Sequence, residues 1–351
     1  NSILLVTDKP LRDLGVVDRA AAELAASGIE LVCYDGVRPD PTYAQVAEGA
    51  ALLREHACDA VLAIGGGSSM DAAKVIAASG TSDKSPSAWV GAMKIKHELP
   101  PVYAIPTTSG TGSEATIGAV ISHDDTHEKS VIVSTALLPA AVALDPDLIT
   151  GLPAHITAAT GMDALTHGIE AYIGAWDRGS RSRDAGMAIK LIFENLETAC
   201  TDGANTEARE AMSLASYYGG LAINLVNVGN VHAIAHQLGA TYGIPHGLAY
   251  ALVLPHVLDY CEDTSRDRLA ELAVLVGAAG PDETMAQQSV KFIAAVRDLT
   301  KLVGLATTTE LLKSADFDRI IGLAIAEGDS YHVPKLMSKE AVRIILNRIS
   351  A

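Results

Sequence analysis

DAVLAIGGGSSMDAAKVIAASG, residues 59–80, reads as a buried strand that runs into three glycines and then into a helix. The run from Ala60 to Ile64 carries no charge, as expected of a strand covered on both faces. Consecutive glycines let a backbone approach a ligand closely, and the N–H groups that open the next helix favour an anion such as a pyrophosphate. The spacing is not GxGxxG, and no GK[ST] follows to make a Walker loop. A glycine turn after a strand is by itself most often only a turn. Ser68 and Ser69 at the helix start, together with the strand before, weigh toward a phosphate-holding role for this loop.

The same strand–helix alternation continues on both sides. SILLVTD (2–8) is a strand, and a helix follows over 16–28 with Gly28 as its stop. IELVCYDG (29–36) is a second strand, 42–57 an amphipathic helix, and PPVYAIPTT (100–108) a further strand. This rhythm predicts a mainly parallel, doubly wound sheet, a Rossmann-like α/β domain. From about Gly151 the pattern becomes helix after helix, rich in alanine and leucine. The GLP of 151–153 marks the boundary, giving an α/β domain over 1–151 and an all-α domain over 152–351.

A chain of 351 residues is long for one core, so two domains are expected. With 49% hydrophobic and 19% charged residues it is globular. A net charge of −16 argues against a nucleic-acid partner, and no apolar run is long enough to span a bilayer. The four scattered cysteines form no CxxC pair and suggest reduced thiols in a cytoplasmic protein.

The helical half carries the chemistry. In GMDALTHGIEAY (161–172), Asp163 and His167 are four apart; in VHAIAHQLGATYGIPHG (231–247), so are His232 and His236, with His246 beyond. On a helix that spacing stacks two side chains on one face. Two such faces could hold a divalent metal with nitrogen and oxygen ligands and keep a position open for substrate. Thr157 or Thr160 is the expected cap of the first helix. A lone histidine on an apolar helix is more often a hydrogen-bonded core residue. Three histidines beside an Asp-x3-His pair reverse that weighting, although spacing leaves open which of them are ligands. A donor set without thiolate suits Fe2+, and Zn2+ fits it too.

In the first half, Asp8 ends the first strand. A carboxylate there accepts from adenosine ribose hydroxyls and repels a 2′-phosphate, favouring NAD over NADP. Capping of the next helix explains it equally well. TTSGTGSE (107–114) is a second polar loop after a strand, either a nucleotide contact or an ordinary turn. Lys129 lies in a polar, hairpin-like stretch (123–130) and alone would be a solvated surface charge.

Together, VTDK (6–9), AIGGGSSMDAAK (63–74), AIPTTSGTGSE (104–114) and the two histidine motifs resemble the iron-containing, group III alcohol dehydrogenase family over essentially the whole chain. The likeness is closest to the small-alcohol branch that includes lactaldehyde reductase. It implies the dehydroquinate synthase-like fold, with metal ligation by Asp163, His167, His232 and His246, and His236 beside the metal as a proton relay. It implies that Asp8 contacts the adenosine ribose, Asp40 sits on the adenine side, and Gly66, Gly67 and Ser68 hold the pyrophosphate. Thr107, Thr108 and Thr111 would line the nucleotide site, and Lys129 would approach the nicotinamide ribose. The implied activity is NAD(H)-linked interconversion of small alcohols and aldehydes on Fe2+ or Zn2+, in a homodimer or larger homo-oligomer.

The chain also departs from the family. Members carry a β-hairpin and helix before the first nucleotide-binding strand, and the sequence as given starts at that strand. Gly118 and Ile223 stand where lactaldehyde reductases carry Asn and Phe, which changes the expected pocket. Maleylacetate reductases share the fold but typically carry Asn at the position of Asp163. A metal- and nucleotide-binding protein without turnover is the alternative from another class.

Overall fold

The computed structural model describes residues 2–126, 128–176 and 179–351, and the chain divides into two units after Ile149. The first is built on strands β1 (Ser2–Asp8), β2 (Glu30–Val37), β3 (Ala60–Gly65), β4 (Gly91–Ala92), β5 (Val102–Pro106), β6 (Gly118–Ser122), β7 (Lys129–Val133) and β8 (Ala141–Val142). Five of them form a sheet in the order β2-β1-β3-β5-β8, all neighbours parallel. Helices α1 (Lys9–Asp13), α2 (Asp18–Ala26), α3 (Tyr43–Glu55) and α4 (Gly67–Gly80) alternate with the early strands.

Successive strand residues point to opposite faces, and both faces are covered. Leu4 and Val6 of β1 join Val61 and Ala63 of β3 in a core with Val46 and Leu53 of α3 and Met70 and Ile76 of α4. Leu5, Leu62 and Ile64 point the other way and pack with Val17 and with Ala20 and Leu24 of α2. The doubly wound, mainly parallel sheet expected from the alternation is therefore present. Helix α1 was not expected; Lys9-Pro10-Leu11-Arg12-Asp13 is too short to show a period, and Asp8 starts it by accepting from the Leu11 N–H at 2.9 Å. A small second sheet, β4-β7-β6, contains the antiparallel hairpin of β6 and β7.

The second unit contains α5 (Ala154–Ile173), α6 (Ser180–Thr201), α7 (Thr206–Val226), α8 (Asn230–Tyr242), α9 (His246–Leu275), α10 (Met285–Leu302), α11 (Phe317–Gly328) and α12 (Lys339–Ile349). Met162, Leu165 and Ile169 of α5 lie at its centre, fully buried with Ile189, Leu196, Ile234, Leu254 and Leu269. Neither threonine caps α5: the helix opens earlier, on Pro153. Thr157 and Thr160 lie inside it, and their hydroxyls donate back to the Pro153 and Ile156 carbonyls. The start is fixed instead by buried Arg209, which donates to Leu152 O at 3.0 Å, Gly203 O at 2.9 Å and Thr157 Oγ1 at 2.7 Å.

All four cysteines are free. Among the described residues no helix is long and apolar enough to cross a membrane.

Candidate active site

In the first unit, the expected nucleotide groups collect at the carboxyl ends of three neighbouring strands. Asp8 ends β1, Gly66–Ser68 follow β3, and Thr107 and Thr108 follow β5. In parallel sheets this edge, beside a reversal of strand order, is where ligands bind. Gly66 is the N-cap of α4 and uses no side chain for it, so the first amides of a 14-residue helix present their N–H groups there. The glycine and threonine loops pack tightly together. A Cβ on Gly67 would come 2.7 Å from Thr111 Cγ2, so the approach of the two loops requires glycine there. The Thr107 N–H donates to Gly65 O at 2.9 Å.

A buried network holds this arrangement. Lys74, 1% exposed on α4, donates from Nζ to Thr116 O, Gly118 O and Ser113 Oγ at 2.7–2.9 Å. Asp71, one turn earlier, accepts from Ser113 Oγ at 2.6 Å and the Val120 N–H at 2.8 Å. Together they fasten the loop after β5 to α4. Burial pulls the Lys74 amine down to about 8, against the opposing pull of Asp71 and Glu114. Sequence reading passed over this pair, although DAAK (71–74) places both on one helix face.

Lys129 and Asp40 form an ion pair at 2.7 Å. Asp40, expected on the adenine side, and Lys129, expected at the nicotinamide ribose, thus stand together.

In the second unit, three of the expected metal ligands converge. Asp163 and His167 come from the middle of α5 and His232 from the first turn of α8. All three are at most 6% exposed, and one potential ligand atom from each lies within 4.8 Å of the others. The rings of His167 and His232 stack at 4.9 Å. Asp163 Oδ1, His167 Nδ1 and His232 Nε2 are buried without a hydrogen-bond partner. Native proteins rarely leave such atoms unsatisfied. Three of them, from a carboxylate and two imidazoles, suit a divalent cation.

The charge states agree. Burial and the neighbouring histidines push the His232 imidazolium well below its ordinary range, so the ring is neutral and has a lone pair to offer. His232 Nδ1 lies 2.5 Å from Glu170 Oε2, and Glu170 also accepts from the Gly229 and Val231 N–H groups at 2.7 and 2.6 Å. Burial pushes the Glu170 carboxyl up to about 8, against the pull of these donors. A carboxylate behind a ligand histidine fixes its tautomer and orientation.

His246 opens α9 but does not join the 4.8 Å group. Its ring centroid is 5.7 Å from that of His236. Gly247 brings this helix start against α5: a Cβ there would fall 2.0 Å from Ala159 O. His236 is half-buried, with Nδ1 2.6 Å from Glu327 Oε1. Tyr250, 4% exposed, sits among these rings, with centroids 4.4 Å from His232 and 5.9 Å from His246. Tyr250, Glu170 and Glu327 were missed by sequence reading. Only Tyr250 and Glu170 left a signal, one turn after His246 and His167 respectively.

Comparison with known proteins fits both units. The family model "Iron-containing alcohol dehydrogenase" matches residues 1–146, and that of the C-terminal domain of the "Fe-containing alcohol dehydrogenase family" matches 157–350. A 1,3-propanediol dehydrogenase from Klebsiella pneumoniae is 39% identical over 98% of this chain and 90% of its own length. An NAD-dependent methanol dehydrogenase from Bacillus methanolicus is 35% identical over 86% of this chain and 79% of its own. A crystal structure of 1,3-propanediol oxidoreductase superposes with a TM-score of 0.96 at 38% identity, covering 99% of this chain and 92% of that one.

Proposed function

This chain belongs to the iron-containing alcohol dehydrogenase family and is an NAD-linked, metal-dependent oxidoreductase of small alcohols and aldehydes; on that premise we propose its residue roles, cofactor preference and substrates. Asp163, His167, His232 and His246 hold the metal, with Fe2+ favoured by the family and Zn2+ accepted by the same donors. The observation that carries this reading is the set of buried, unpartnered atoms on Asp163, His167 and His232. When bound, the metal supplies a Lewis acid for the alcohol or carbonyl oxygen, and the nicotinamide takes or gives the hydride.

The protein's own groups do the rest. Glu170 holds the His232 ring with its hydrogen on Nδ1 and its lone pair on Nε2. His236, held by Glu327 and 28% exposed at its side chain, serves as the proton relay. In the first unit, the α4 amides at Gly66–Ser68 hold the pyrophosphate, and Thr107, Thr108 and Thr111 shape the loop around the nucleotide. Lys129, steadied by Asp40, reaches the nicotinamide ribose. Asp8 faces the adenosine ribose, which makes NAD the preferred cofactor over NADP. The 1–151 segment is thus the nucleotide-binding domain and 152–351 the catalytic one.

The substrate is a small primary alcohol, diols included, in keeping with the 39% identical 1,3-propanediol dehydrogenase. The free thiols suit the cytoplasm, and the family resemblance supports a homodimer or larger assembly.

The test is to load the protein with Fe2+ or Zn2+, add NAD and a panel of primary alcohols, and follow NADH absorbance. Metal-dependent turnover is expected, lost on chelation and restored by the ion. Full activity in protein shown to be metal-free would overturn the assignment.

A further inference from the structure

A directional line of hydrogen-bonding groups leads from Glu327 to His246. The Glu327 carboxylate accepts from Tyr331 OH at 2.6 Å on Oε1 and from Gln237 Nε2 at 2.8 Å on Oε2. His236 Nδ1 lies 2.6 Å from the same Oε1. An ionised carboxylate only accepts, so Nδ1 of His236 carries the hydrogen. In the neutral ring Nε2 then holds the lone pair.

The Tyr250 hydroxyl lies 3.4 Å from His236 Nε2 and 3.4 Å from His246 Nδ1. A phenol has one proton to give. Given to His236 Nε2, which needs a donor, it leaves the phenol oxygen to accept from His246 Nδ1–H. The lone pair of the His246 ring then falls on Nε2.

We propose that Tyr250 is a positioning residue that sorts these two histidines, filling Nε2 of His236 with a hydrogen bond and presenting Nε2 of His246 to the divalent ion. The inference rests on the proposed metal site and deepens it. Four-residue spacing leaves His236 as good a ligand candidate as its neighbours, and here one hydroxyl makes the distinction. His232 is sorted separately, by Glu170. Tyr250 is buried among the three rings, so it has no solvent to satisfy it and the bridge is its polar role.

The variant Tyr250→Phe keeps the ring and removes the hydroxyl. Chelated apoprotein, wild type and variant, is titrated with Co2+ while the visible spectrum and affinity are recorded. The expected result is a Kd about 10–100-fold higher in the variant with an altered spectrum, the effect of losing an outer partner of a ligand. In a His246→Ala background the same substitution should add nothing to the loss, because Tyr250 acts through His246. Equal Kd and spectrum in Tyr250→Phe and wild type, or a full additional loss on top of His246→Ala, would overturn the proposal.

Histidine tautomers read by 15N NMR on wild-type apoprotein test the same line without any variant. Hydrogen on Nδ1 of both His236 and His246 is expected, and hydrogen on Nε2 of His246 refutes it. A wild type that binds no Co2+ at all breaks the metal-site reading instead, which the tautomer measurement keeps separate.

Discussion

In the first unit the candidate groups sit at strand ends on partly exposed loops, and much of their contribution is backbone: the opening amides of α4 and the close contact of Gly67 with Thr111. In the second unit the candidate ligand atoms are on side chains in the middle or first turn of helices, buried and unmatched. The nucleotide side makes its internal hydrogen bonds with no ligand, as the Lys74 network does. On the metal side Asp163 Oδ1, His167 Nδ1 and His232 Nε2 stay without a hydrogen-bond partner. A site made of backbone donors tolerates side-chain change and fails when its loops come loose; a site made of buried side chains fails atom by atom.

The sharpest way to break this contrast is to remove a ligand. His232→Ala or Asp163→Ala should empty the metal and lower kcat/KM by roughly a thousandfold or more, since Lewis-acid stabilisation is worth several kcal/mol. NADH binding, measured by fluorescence, should stay within a factor of two or so. His236→Ala should keep the metal by elemental analysis and lose rate or shift its pH profile. Parallel loss of NADH binding in the ligand variants would erase the distinction.

The converse is Lys74→Met. It strands four acceptor atoms and removes a positive charge that offsets the buried Asp71 carboxylate, and should cost about 3–5 kcal/mol in denaturant unfolding. NADH affinity should fall while metal content stays full. A variant with intact NADH binding would show that the loop needs no fastening.

A smaller effect comes from behind the ligands. Glu170→Gln keeps the shape but puts an amide in place of the carboxyl that meets His232 Nδ1, and should weaken Zn2+ affinity about 10–100-fold. Calorimetric titration of apoprotein measures it, and an unchanged Kd would reduce Glu170 to a helix-end acceptor.

The smallest concerns Asp8. Its carboxylate accepts from the Leu11 N–H, so a substitution must keep that cap. Asp8→Ser keeps an acceptor and removes the charge. The NADP/NAD ratio of kcat/KM should rise about tenfold, since a lost charge contact is worth about 1.5–3 kcal/mol. Both cofactors are compared at one ionic strength. A ratio that moves only in Asp8→Gly, where the cap is lost too, would assign Asp8 to helix capping alone.

Much of this architecture was legible in the chain because it is local. Val61–Ile64, followed by glycines and a helix, is a strand–turn–helix in any context, and the same holds for β1 and β5. Asp163 and His167 announce one helix face by spacing alone. What stayed hidden was set at long range. Glu170 is 62 residues from His232 and Glu327 is 91 from His236, so no local pattern connects carboxylate to ring. The start of α5 was misjudged because Arg209, 57 residues past Leu152, holds it where a threonine cap was expected. The contact between Lys129 and Asp40 spans 89 residues, beyond the reach of any local pattern.

The unmatched atoms of Asp163, His167 and His232 reach beyond catalysis to supply and survival. An unsatisfied buried polar group costs about 1–3 kcal/mol, so the metal-poor protein carries a penalty that the loaded one sheds. An ion present at a hundred times its Kd adds about 2.7 kcal/mol to the folded state. Chains made while the metal is scarce should then open more often and fall to proteases sooner. The cell's stock of this enzyme should therefore track its stock of the metal.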